Sequence, residues 1–258
     1  MSQLIKVPMK IVCFFCMIFI LSTHAGRCSE DVVKVGFSYF PPWMILEKGE
    51  FKGVDCDLLK SVFAQMGLHV EFIPDTLAHN LEKIKSGDLD VISSLLFRNE
   101  RNEYIRYVSP PYTTKSVKSF YVRKESGIKI DSYSDLSGLS VGVSLGVKYF
   151  PKFDLDDSIM KVSYATVADS LQALAEGEVE TVIGTQLVGK YLINKFEFKS
   201  KLEECSFKYE PKLMPVYIGI SRKSPLAQKV DEIGEVLRYL QKKGEVERIA
   251  KNNLVELD

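Results

Sequence analysis

The sequence has little histidine: three residues in 258, at His24, His69 and His79, too scattered to ligate a metal together. So few histidines also leave a serine hydrolase without a supply of candidate bases. An excess of charge is also lacking, with 34 Lys and Arg against 34 Asp and Glu. A nucleic-acid partner, which wants a strongly basic face, is therefore not expected. No Gly/Ser-rich linker divides the chain, and no cofactor is expected. Only one long apolar run exists, 11 residues at 11–21. That is well short of the ~20 residues a membrane-spanning helix needs.

What is present begins with that run. Lys6 and Lys10 precede it, and Ser22, Thr23, His24 and Ala25 follow it. A basic start, a short apolar stretch and small residues predict a signal peptide over 1–25, cleaved after Ala25, and hence a periplasmic location. An uncleaved anchor and a lipid on Cys28 are the alternatives; Arg27 stands where the lipid site would want a small residue. Cleavage removes two lysines and no acid, leaving 32 basic and 34 acidic residues. Cys13 and Cys16 leave too, so Cys28, Cys56 and Cys205 remain, an odd number with no metal spacing. Cys56 is read as a core thiol. Cys28 and Cys205 pair only if the N-terminal segment reaches the second α/β unit.

From Val32 onward strand-like and helix-like segments alternate. "VVKVGFSYF" (32–40), "HVEFI" (69–73) and "LDVISSLL" (89–96) predict strands, and 54–67 and 77–87 predict helices with apolar residues on one face. After Lys124 the rhythm restarts, with strands predicted at 139–146, 161–165, 179–184 and 215–221. Helices are predicted at 167–177, with Thr166 and Gly177 as caps, at 186–196, and at 225–254 with a break near Gly244. Alternation of this kind implies α/β architecture with mostly parallel sheets flanked by helices. Two such units without a flexible linker imply two lobes around a cleft.

The stretches "FKGVDCDLLKSVFAQMG", "KSGDLDVISSLLFRNERNEYIRYVSPPY", "DLSGLSVGVSLG" and "AEGEVETVIGT", in this order, resemble the bacterial extracellular solute-binding proteins of family 3, the type II periplasmic binding proteins. The resemblance implies a two-lobed fold with two crossing hinge segments near 116–122 and 212–218. Lobe 1 would be 30–117 with 214–258, and lobe 2 would be 118–213. It implies a non-enzymatic monomer that captures a small polar solute, an amino acid or organic acid, and delivers it to the membrane permease of an ABC importer.

In the family's amino-acid receptors an arginine at the position of Arg101 clamps the ligand's α-carboxylate; a guanidinium's parallel donors suit that role. The alternative is a surface ion pair. Aromatic residues of the first strand-to-turn segment, here Tyr39, Phe40 and Trp43, would sandwich the ligand, although Trp43 would also suit a core. Ser93 and Ser94 end the third strand, where open α/β sheets bind ligands, or simply form a small-residue turn. In the second lobe Gly146 and Val147 match a helix N-terminus that favours an anion, and Lys148 replaces its hydroxyl residue. Lys148 either adds charge there or points to water. Arg106 is read as a solvated helix charge.

The departures bear on the ligand. Thr185 stands where amino-acid receptors place an acid for the ligand's ammonium group. Ser38 replaces a second acid used for cationic amino acids, Thr76 replaces an aromatic, and Arg98 replaces a threonine. A buried ammonium without a carboxylate is costly. With Arg101, Arg98 and Lys148 all facing the cleft, the site would be net positive and its ligand an acid. Two other functions use the same fold: a cyclohexadienyl-dehydratase-like enzyme, which needs a cleft acid not found at Glu178, Glu180 or Asp90, and a sensor docking on a membrane kinase or chemoreceptor.

Overall fold

The computed structural model describes residues 32–254; the predicted signal peptide and Cys28 lie outside them. Strand β1 (Val32–Phe37) buries Val33, Val35 and Phe37 and runs into the Pro41-Pro42 turn. A small hairpin, β2 (Ile45–Glu47) with β3 (Glu50–Lys52), leads to helix α1 (Val54–Gln65). Helix α1 turns Leu58, Leu59, Val62 and Phe63 inward, the face its 3.6-residue spacing predicts. Cys56 is buried on that helix.

Then come β4 (His69–Pro74), α2 (Leu77–Ser86), β5 (Val91–Leu96), β6 (Ile105–Tyr107) and β7 (Lys118–Arg123). Further along lie β8 (Ser140–Ser144), the short α3 (Pro151–Asp154), β9 (Met160–Tyr164), α4 (Val167–Glu176) and β10 (Thr181–Thr185). The chain ends with α5 (Gln186–Lys195), β11 (Leu202–Tyr209), β12 (Val216–Ser221), α6 (Val230–Lys242) and α7 (Glu245–Leu254). Helix α4 begins at a capping box of Thr166 with Asp169 and stops at Gly177, which takes a left-handed φ of 86°, as the sequence predicts.

Ten strands form two five-stranded sheets, in the orders β4-β1-β5-β12-β6 and β11-β7-β10-β8-β9. Each sheet is mixed. In the first, β4-β1 and β1-β5 are parallel, while β12 runs antiparallel to both β5 and β6. In the second, β10-β8 and β8-β9 are parallel, while β7 runs antiparallel to both β10 and β11. The α/β class with helix-flanked sheets stands, and the mostly parallel expectation needs adjusting. The strands that make the sheets mixed are largely those the sequence rhythm passed over: β6 is three residues long, β7 lies in the expected crossing, and β11 exposes alternate polar residues.

The chain passes from the first sheet to the second after β6 and back before β12. These two passages hydrogen-bond to each other, Val216 N–H to the Thr113 carbonyl and Met214 N–H to the Thr114 carbonyl, both at 2.9 Å. Apolar clusters cover both sheets, one around Val35, Phe63, Ile218 and Leu237, others around Phe120, Phe153, Leu171 and Ile183. The ends of strands from both sheets meet at one cavity.

Candidate ligand-binding site

A cavity of about 220 Å³ is lined by residues from both sheets, including all eight site residues expected from the sequence. Tyr39, Phe40 and Trp43 are half-buried, and the Phe40 and Trp43 rings lie 5.4 Å apart at 30°. All three also pack against the apolar cluster of the second sheet. The cleft-wall and packing alternatives for Trp43 therefore hold together.

Arg101 closes a single 3-10 turn, Asn99–Arg101, and is 6% exposed, which excludes a solvated charge run. Its Nη2 donates to the Gly146 carbonyl at 2.8 Å, from the first sheet's half to the second's. Gly146 adopts a left-handed φ of 79° with α2 close by, its would-be Cβ 3.3 Å from the Ala78 Cα, so a side chain there would be strained and crowded. The expected helix N-terminus at Gly146 and Val147 is not formed; α3 starts only at Pro151 and has four residues. Gly146 meets Arg101 with its carbonyl instead. Lys148 is exposed on the lining.

Ser93 and Ser94 occupy the end of β5. Ser94 has a left-handed φ of 57° and donates its hydroxyl to Asp55 Oδ2 at 2.8 Å. The Tyr112 hydroxyl donates to the same oxygen at 3.0 Å, and Ser94 N–H donates to Tyr112 Oη at 3.2 Å. Asp55 is completely buried at the start of α1, and burial pushes its carboxyl up, opposed by the surrounding hydroxyls. This network fixes the strand end from beneath. Ser93, and Ser144 at the end of β8, are buried on the cavity lining, Ser93 beside Asp55 and Ser144 beside Tyr149.

Thr185, at the end of β10, is the acceptor for a group that the sequence reading had not placed in the site. Lys118, 4% exposed, donates from Nζ to Thr185 Oγ1 and to Ser116 Oγ, each at 2.8 Å. Burial pushes its ammonium pKa down to about 7, with Asp154 pulling the other way. A lysine inside the apolar stretch "SVKSFYV" was the available signal.

Arg98, which would have made the cleft more positive had it faced inward, does not line the cavity. Its Nη2 donates to Asp154 Oδ2 at 2.9 Å, an ion pair across the two halves with side chains 19% and 11% exposed. Arg106 lies on a strand, not a helix, and donates to the Ala227 carbonyl at 2.6 Å. Thr76 caps α2 and lines the cavity. Asp90 is structural: it accepts from Lys34 N–H at 2.9 Å and from Ser224 Oγ at 2.6 Å. Among the described residues the only carboxylate lining the cavity is Asp75, held far below the usual range by Lys83 and His79.

Residues 33–256 match the family described as bacterial extracellular solute-binding proteins, family 3. The chain belongs to that family. A "Probable histidine-binding protein" of Campylobacter jejuni is 24% identical over 116 residues, 44% of this chain and 44% of that protein. The "Virulence sensor protein BvgS" of Bordetella pertussis is 25% identical over 181 residues, 69% of this chain. The matched stretches thus span less than half of the Campylobacter protein and 14% of the Bordetella sensor. The solved structure of an ancestral arginine-binding protein bound to arginine superposes with a TM-score of 0.73 at 24% identity, covering 86% of this chain and 97% of that one. The family member described here therefore has the fold of the periplasmic binding proteins. Among its described residues no helix is long and apolar enough to cross a membrane.

Proposed function

We propose that this protein captures a small carboxylate-bearing solute in the cavity between its two sheets and hands it to the permease of an ABC importer. The observation that carries the reading is a cavity lined by two buried cations, Arg101 and Lys118, with no free carboxylate among the described lining residues. Such groups lose hydration on burial and regain it only from a ligand that supplies acceptors.

Arg101 is assigned to the carboxylate, with Phe40, Tyr39 and Trp43 along the ligand's apolar body. Ser93, Ser94 and Thr185 serve its polar edge, and Lys148 stands at the rim. The two halves act as lobes about the paired crossings: a ligand held on the first gains contacts from the second, and closure follows from its higher affinity for the closed form. The protein works as a periplasmic monomer after loss of residues 1–25. Histidine and arginine, named for two relatives, both carry cationic groups that the lining cations oppose.

The resemblance to the Bordetella sensor favours a second reading, in which the closed protein signals to a membrane kinase. A dehydratase-like reaction has no support from the lining. Asp75 is the only carboxylate there among the described residues, and it stays ionised, while proton donation requires a protonated acid.

Isothermal titration of ligand-stripped protein with amino acids, monocarboxylates and dicarboxylates tests the binding reading. Binding by at least one carboxylate is expected, with Arg101→Ala losing about 2–4 kcal/mol of it while the fold persists. An unchanged dissociation constant in that variant would remove Arg101 from the site.

A further inference from the structure

The cavity's charge balance goes further than its family. Lys118 is an ammonium group with three donors, of which two go to uncharged hydroxyls, Ser116 and Thr185. Among the described residues no carboxylate lies within ion-pair distance of it. The nearest acid influence, Asp154, is already committed to Arg98 at 2.9 Å. Asp75, the only lining carboxylate among the described residues, is tied to Lys83 at 2.7 Å and to His79 at 2.8 Å. Two buried cations thus face one cavity whose lining, among the described residues, offers no free counter-charge. The two exposed lysines on the lining, Lys115 and Lys148, add charge of the same sign.

A ligand that completes this site brings negative charge to both cations. An α-amino acid brings one carboxylate and one ammonium, and its ammonium has no acid to meet. At the position where the chain offers a hydroxyl, Thr185, a protein ammonium already sits. Like charges at contact distance in a poorly hydrated cavity repel strongly.

We infer that Lys118 determines the specificity of this cavity, and that the ligand is a small dianion of the dicarboxylate class, one end on Arg101 and the other on Lys118, with α-amino acids rejected. The inference rests on the binding-protein reading and sharpens it. Lys118 is reached from both neighbouring strands by uncharged partners only, Thr185 on β10 and Tyr209 on β11. The charged groups felt from beyond them are Asp154 and Arg98.

The test uses matched pairs that differ by one amino group: succinate against aspartate, and glutarate against glutamate, titrated calorimetrically into ligand-stripped protein at pH 6.5. At least one dicarboxylate is expected to bind at least about tenfold more tightly than its amino counterpart, and Lys118→Met is expected to abolish that preference. In the wild-type protein the dicarboxylate's affinity should also fall as pH rises above 7, by up to about tenfold per unit, because the ligand requires the protonated lysine. The wild-type comparison needs no variant, so a misfolded Lys118→Met would not shield the inference. Aspartate or glutamate binding as tightly as its partner, or no dicarboxylate binding at all, overturns it. Arg101-dependent binding of amino acids alone would leave the broader reading standing, whereas failure of every solute in the wider panel would remove both.

Discussion

Lys118→Met should make the protein more stable at acidic pH, although it deletes a hydrogen-bonded interior side chain. Lys118 is 4% exposed, and burial lowers its pKa from 10.5 to about 7. The folded value lies below the unfolded one, so folding works against the proton. The resulting cost is complete below pH 7 and fades as pH rises from 7 towards 10.5. A shift of this size is worth roughly 5 kcal/mol at pH 6 and roughly 1.5 kcal/mol at pH 9.5. Against it, methionine leaves the Ser116 and Thr185 hydroxyls without their 2.8 Å partner, about 1 kcal/mol each and nearly independent of pH. Methionine's unbranched chain fills most of the vacated volume. The variant should therefore gain about 3 kcal/mol at pH 6 and almost nothing at pH 9.5. Urea unfolding of both proteins at the two pH values, extrapolated linearly to water, measures the difference. A variant less stable than wild type at pH 6, or a difference that shrinks by less than about 1 kcal/mol between the two pH values, would refute the assignment of an uncompensated buried charge.

Asp154→Asn breaks the ion pair with Arg98 that joins the two halves and should cost about 2 kcal/mol in thermal or urea unfolding, with a larger radius of gyration by X-ray scattering; an unchanged melting curve would make the pair incidental. Glu47 is held down to about 2 by Lys195 first and Lys52 second, so its contribution is present above pH 4.5 and is lost as pH falls towards 2. The pair is about one-third exposed, and solvent screening limits it to less than about 1 kcal/mol, so Glu47→Gln should flatten the acid limb of the stability curve only slightly. Burial pushes the Cys56 and Cys205 thiols up to about 12, so neither should react with a disulfide reagent at pH 8 until urea unfolds the chain; rapid labelling of native protein would contradict that.

Local regularities were legible in the sequence because they depend on neighbours a few residues away. The inward face of α1, the capping box at Thr166 and the left-handed stop at Gly177 follow from spacing and residue type alone. The aromatic cluster at Tyr39, Phe40 and Trp43 and the arginine at Arg101 were accessible through resemblance, since motif order fixes where a strand end meets the cavity. Arg98 was not. Whether a guanidinium faces a cleft or an aspartate depends on Asp154, 56 positions away. Arg106 was misread for a similar reason, because the three-residue strand β6 exists only through its pairing with β12. The strands that pair antiparallel carry weak local signals, and their absence from the sequence reading made the sheets look more parallel than they are.

The sequence by itself determined the α/β rhythm, the absence of metal-ligand spacing, and the family, because periodicity and ordered motifs are properties of the chain. By resemblance it also implies that Thr185 replaces the acid used by the family's amino-acid receptors. Only the tertiary structure decided what stands against that threonine. Lys118 comes from a different strand, 67 residues earlier, and its ammonium reaches Thr185 because β7 and β10 pair antiparallel in that register. Burial then strips the charge of water, and the cavity acquires a preference for negative charge that neither residue announces alone.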